Sequence, residues 1–191
     1  MTEPLPNRIS RWLAWVAGAV ILFGCAVPIT IDVLMRYFFN RSAVDSFEIS
    51  GYGLAACIGL GLAFTVTTKA HIRVDFLVAK LPFPMRAACD LAAACALAVV
   101  ALALAWFAWG TVSQSYAMGA RSMSTLQVPI VIPQGLWWVG LFWFACMAVL
   151  APVQAVIRLL RGDRAGFEAA IGSADLDAEI NEAVHAAGER P

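Results

Sequence analysis

The sequence predicts an all-α integral membrane protein: a four-transmembrane-helix bundle with an amphipathic interfacial helix between the second and third spans. Three observations predict it. Of 191 residues, 61% are hydrophobic and only 14% are charged, whereas a soluble domain carries charge on about a quarter of its residues. Four apolar runs, roughly 12–35, 49–68, 87–112 and 134–157, are each long enough to cross a hydrocarbon core of about 30 Å at about 1.5 Å per residue. The basic residues collect at alternate ends of these runs, as they do when short loops sort by charge across a bilayer. The formal net charge of +0 is uninformative beside that pattern, and no nucleic-acid partner is expected.

The first span follows a short polar lead holding Arg8 and Arg11 and runs from Trp12 to Met35. It is longer than a secretory signal core and no small-residue cleavage pattern closes it, so an uncleaved span is expected, kinked at Pro28. The connector Arg36 to Glu48 offsets Arg36 and Arg41 with Asp45 and Glu48. Asn40, Ser42 and Ser46 supply breaking and capping chemistry, and Tyr37, Phe38 and Phe39 suit an aromatic interfacial belt. In the second span Gly51, Ala55, Gly59 and Ala63 recur every fourth residue. Small residues at that spacing let another helix approach closely where lipid removes the hydrophobic drive, so the stripe reads as a packing face.

Between spans two and three, Lys69, Arg73, Lys80 and Arg86 face one acid, Asp75. Ile72, Phe76, Leu77 and Leu81 form an apolar stripe at helical spacing, which suits a short helix at the headgroup level that ends at Pro82 and Pro84. The reading divides between a surface turn against membrane lipid and a docking surface for another protein. His71 and Asp75 stand one turn apart. The third span is Ala-rich and ends near Trp106 and Trp109; the fourth opens with Trp137 and Trp138 and closes on Arg158, Arg161 and Arg164. Arg8, Arg11, the middle connector and these last arginines outweigh Arg36, Arg41 and Arg121 on the other side, so both termini are expected in the cytoplasm. Residues 1–161 then form the membrane domain and 162–191 an acidic, solvated cytoplasmic tail. In it Leu176, Ile180 and Val184 mark either a short helix or a disordered terminus.

Candidate chemistry is sparse. His71 and His185 lie outside the spans, so they cannot hold a haem between membrane helices. Cys25, Cys57, Cys89, Cys95 and Cys146 fall in apolar runs without a CxxC pair and read as packing residues. No phosphate loop, zinc motif or nucleophile elbow occurs, so no enzyme activity, metal or cofactor is expected. Asp32 and Arg36 stand four apart in the order that favours an ion pair. Glu48 opens the second span, as a cap or as a contact to a partner's cation or amide.

Arg36-Tyr37-Phe38-Phe39-Asn40, Glu48, His71-Ile72-Arg73-Val74-Asp75, Leu81-Pro82, Arg86 and the stretch from Gly119 to Pro129 resemble the small membrane subunit of tripartite ATP-independent periplasmic (TRAP) transporters, over most of residues 36–133. The resemblance implies a bacterial inner-membrane protein that partners a much larger membrane subunit and, through it, a periplasmic substrate-binding protein. In that family the large subunit carries the substrate, an organic acid, and the coupling sodium ions, while the small one is a scaffold. Val44, Asp45 and Phe47 depart from the family pattern, in which a tryptophan and a second acid are common. Arg36, Asn40, Glu48, Gly51, Ala55, Gly59, His71, Arg73 and Asp75 are accordingly the candidate partner-interface or structural residues. Two other readings compete: a small homodimeric exporter with Asp32 or Glu48 as the proton-coupled carboxylate, and a four-span membrane enzyme or electron carrier.

Overall fold

A computed structural model describes residues 5–41, 45–68, 81–123 and 127–171, and every regular element among them is a helix. Four helices are long and apolar enough to cross a membrane: Leu5–Phe39, Ser46–Thr67, Phe83–Ala117 and Val131–Leu160. The first is composite, made of α1 (Leu5–Ala19), a π-helical stretch over Val20–Ala26, and α2 (Val27–Phe39). The others are α3 (Ser46–Thr67), α4 (Phe83–Ala117) and α5 (Val131–Leu160), followed by the short α6 (Arg164–Ile171). The expected interfacial helix at 69–80 and the Leu176, Ile180, Val184 repeat lie outside the described residues.

The helices outrun the apolar runs. α1 already begins at Leu5, so Arg8 and Arg11 ride on the helix instead of preceding it. Pro6 is tolerated in its first turn, where backbone N–H groups have no intrahelical acceptor. The Ser10 hydroxyl donates to the Pro6 carbonyl at 3.1 Å and accepts from Trp143 Nε1 at 3.0 Å, which ties the entry helix to the last span. Pro28, the residue expected to kink the first span, stands in the first turn of α2, immediately after the wider π-helical stretch. The ring cannot donate to residue 24 and crowds its carbonyl, and a looser turn relieves both.

α4 has 35 residues, about 52 Å at 1.5 Å per residue, and so projects well past the hydrocarbon. Pro82 is its N-cap, with Pro84 in its first turn. At the far end Gly119 takes φ +60°, and paired bonds from Gly119 N–H to Tyr116 O and from Ala120 N–H to Ser115 O close a Schellman stop. That left-handed residue is glycine for steric reasons. The chain then crosses a short hairpin, with Ser122 N–H donating to Val128 O at 2.9 Å and Ile130 N–H to Ala120 O at 3.1 Å, and enters α5.

α5 is the central span: it packs along both α3 and α4, while α1 lies along α3. The middle of the bundle is a buried seam of small side chains, Ala63, Ala98, Ala101, Ala105, Ala145 and Ala148, with Phe144 and Met147 filling between them. The closest approach is α3 on α5 at Gly59 and Gly140. A Cβ at Gly59 would stand 2.7 Å from the Trp137 carbonyl oxygen, and one at Gly140 would run into the Gly59 backbone. Beside the seam, Trp138 Nε1 donates to the Ala105 carbonyl at 3.1 Å and its ring stacks with Phe142 at 5.5 Å between centroids.

Where a solvated tail is expected after residue 161, the chain turns back and docks. Gly162, at φ +73°, makes a second Schellman stop with Asp163, whose carboxylate then accepts from Gly166 N–H at 2.8 Å to start α6. Phe167 and Ile171 are fully buried against Ala87, Ala94 and Ala155. Phe83 meets the Phe167 ring edge-on at 6.3 Å and lies 4.7 Å from the Arg164 guanidinium.

Candidate functional site

Two faces of the bundle carry its polar chemistry. One, the terminal face, holds the start of α1 and the turn into α6; the other, the hairpin face, holds the turns from α2 to α3 and from α4 to α5. On the hairpin face the geometry is built around Asp32, which is 1% exposed although it lies in a span. Arg36, one turn on, reaches back with Nε 2.9 Å from Asp32 Oδ2 while its own side chain is 59% exposed. The Ser46 hydroxyl, from the first turn of α3, donates a short hydrogen bond to the same carboxylate oxygen. The buried acid thus joins the end of span one to the start of span two, and the expected Asp32–Arg36 pair is present. A buried carboxylate requires such partners, because desolvating it alone is costly.

Asn40 explains the end of the Arg36-to-Asn40 motif. It sits at φ 52° as the left-handed C-cap of α2, its N–H donating to Arg36 O at 3.1 Å. Asn accepts that conformation at less cost than other non-glycine residues. Tyr37, Phe38, Phe39 and Phe47 project from this turn and are exposed.

Glu48 does not cap α3. Asp45 is the N-cap, and its side chain accepts from the Glu48 N–H at 3.4 Å. The Glu48 carboxylate instead accepts from the Tyr52 hydroxyl at 2.8 Å, and the same tyrosine meets the buried Ser122 of the α4–α5 hairpin. Tyr52, held by Glu48 one turn back on the same helix, therefore joins the second span to the second hairpin.

The small-residue stripe divides. Gly59 and Ala63 are buried, Ala55 is half-buried and Gly51 is exposed, with open space where a Cβ would stand. The buried small face of α3 is Gly53, Ala56, Gly59 and Ala63, and it packs inside the chain. Gly53 lies against Cys25, whose thiol donates to Ile49 O at 3.6 Å. His71, Arg73 and Asp75 lie outside the described residues.

Sequence reasoning missed two features. Asp90 stands in the second turn of the third span and is 5% exposed. It is an acid in an Ala-rich run four residues after Arg86, in the reverse of the Asp32–Arg36 order, and a charge inside a span is the signal that could have flagged it. The docked α6 was hidden by the acidity of the segment, although Phe167 and Ile171 stand four apart. Among the described residues no three His, Cys, Asp or Glu side chains converge as a metal site would require. What the arrangement can do chemically is clamp helices and present aromatic and ionic groups at one membrane surface.

A family model described as the DctQ component of tripartite ATP-independent periplasmic transporters matches residues 26–162. No curated protein and no solved structure gives a significant match.

Proposed function

From the premise that this chain belongs to the DctQ family, the small membrane component of tripartite ATP-independent periplasmic transporters, we propose that it is a bracing subunit. It holds a large sodium-coupled membrane subunit in place during binding-protein-dependent uptake of an organic acid. It resides in a bacterial inner membrane with both termini in the cytoplasm. The observation that carries the reading is the interior. A transporter that binds cargo itself places polar or charged groups at mid-bilayer, often on broken helices. Here the centre of the bundle is the close-packed alanine seam, and the charged residues of the spans, Arg8, Arg11, Asp32, Arg36, Glu48, Arg86, Asp90 and Arg158, all stand toward helix ends. Asp32 ties the first span to the second, and Glu48 holds Tyr52 against the second hairpin, which is scaffold work and needs no proton cycle. The open strip of α3 around Gly51 and Leu54 is the seat we assign to the large subunit, since an exposed glycine lets a partner helix come close.

Reconstitution tests this. Proteoliposomes holding only this chain should take up none of a panel of radiolabelled organic acids under a sodium gradient. Adding the large subunit and the binding protein should produce uptake, and leaving this chain out of that mixture should abolish most of it. Uptake by this chain alone would refute the bracing role.

A further inference from the structure

On the terminal face a cavity of about 150 Å³ opens between four elements, the start of α1, the end of α3, the last turns of α5 and α6. That is well above the roughly 10–15 Å³ that a single water needs. Its polar wall is made by Asn7, Thr67, Gln154 and Arg158, and its apolar wall includes Met147 and Leu150. Among the described residues, none that lines it is acidic. Arg158 is half-buried, and its Nη1 donates to the Gly166 carbonyl at 2.7 Å, which fixes the guanidinium against α6. A guanidinium carries five N–H donors in one plane, so among the described residues most of its donor capacity is left over from that bond. Asn7 and Gln154 bring amide donors to the same wall. The Thr67 hydroxyl proton is given to the Phe64 carbonyl at 2.8 Å, so it offers the cavity only lone pairs.

We infer that this cavity is a binding site for a phosphate-bearing anion, held by Arg158 with Asn7 and Gln154. The chemistry is that of a partly desolvated guanidinium, whose fork of N–H donors bonds two oxygens of a phosphate at once, beside neutral donors and with no carboxylate among the described lining residues; Asp163 stands near the Arg158 stem, outside the lining, and accepts from Gly166 N–H. Arg158 lies in the last turn of the fourth span, where the end of a spanning helix meets the headgroup layer, and the Met147 and Leu150 wall runs inward from there to the seam of the bundle. A basic pocket between spans at that depth suits an anionic phospholipid headgroup; a free phosphate would use the same donors. The site does not depend on the transport reading.

Native mass spectrometry of the full chain in neutral detergent tests it, by titration with phosphatidylglycerol and, separately, with diacylglycerol, which lacks the phosphate. Phosphatidylglycerol should bind saturably and diacylglycerol should not. Arg158→Gln should weaken that binding by roughly tenfold, the loss of one charge-assisted contact. Because Arg158 also holds α6, Asn7→Leu is the second variant; it leaves the Arg158–Gly166 bond in place and should weaken binding by roughly threefold to tenfold. Arg8→Gln, which removes a cation from the same end of α1 outside the cavity, should bind as the unaltered chain does. Displacement of the lipid by millimolar inorganic phosphate would identify the free ion as occupant, and indifference to phosphate the headgroup. Equal binding of the two lipids, or full binding by both Arg158→Gln and Asn7→Leu, would overturn the site.

Discussion

Asp32 looks functional in the sequence, and the fold gives it the partners that a structural role would use. A carboxylate within a span is a functional hypothesis by default, yet this one is enclosed by Arg36 and by Ser46 from the next helix. The two partners contribute unequally. Arg36 is 59% exposed, so its Coulombic share is screened and small, and it can turn to water if the acid is removed. The Ser46 hydroxyl instead loses its buried acceptor, at about 1–3 kcal/mol. Asp32→Ala should therefore lower the thermal unfolding midpoint in detergent, while Asp32→Asn, which keeps an acceptor oxygen for Ser46, should lower it less. Tryptophan fluorescence during a temperature ramp measures both. Equal losses would mean that the charge, and not the hydrogen bond, holds the two spans together. The Arg36–Asp32 spacing was legible in the sequence because it is local. Ser46 and Ser122, as partners of Asp32 and Tyr52, were not, because neither contact follows from one helix's periodicity.

At the level of helices, composition located four apolar spans but did not orient them. The four-residue stripe through Gly51, Ala55, Gly59 and Ala63 is real in the sequence, yet α3 has small residues on several sides. The face that packs is Gly53, Ala56, Gly59 and Ala63, rotated from the stripe at its N-terminal end. Periodicity cannot choose between such faces when all sides are apolar; the opposing glycine chooses. Gly59 meets Gly140 backbone to backbone, and backbone cannot yield as a flexible side chain can. Gly59→Leu should cost about 1–3 kcal/mol or more by overpacking, and the protein should lose its monodisperse peak in size-exclusion chromatography. Gly51→Leu meets open space, so that variant should fold normally and instead weaken co-purification with the large subunit. A folded Gly59→Leu protein would show that the two helices do not cross there. α6 teaches the complementary lesson. The acids of the whole segment 162–191 pointed to a solvated tail, but two apolar residues four apart, fed by the Gly162 turn, suffice to bury one face of a short helix.

The molecule as a whole is asymmetric between its two faces, and that asymmetry decides how it must sit in a membrane. The start of α1, the beginning of α4 and the end of α5 share the terminal face and bring Arg8, Arg11, Arg86, Arg158, Arg161 and Arg164 to it. The hairpin face has Arg36, Arg41 and Arg121, and there Arg36 is paired to Asp32. Short basic segments beside a span resist translocation, so the terminal face is expected in the cytoplasm. The exposed aromatics of the α2–α3 turn are then on the periplasmic side, where a binding protein arrives. Fusions of a reporter that is active only in the periplasm should light up after residue 121 and stay dark after residue 171. The reverse pattern would invert every assignment of inside and outside, and with it the leaflet whose lipids could reach the Arg158 cavity. The alternating up-and-down order of the four spans would survive such a result, since the contacts within the bundle, the alanine seam and the crossing of the parallel helices α3 and α5 at Gly59 and Gly140, do not depend on which face is inside.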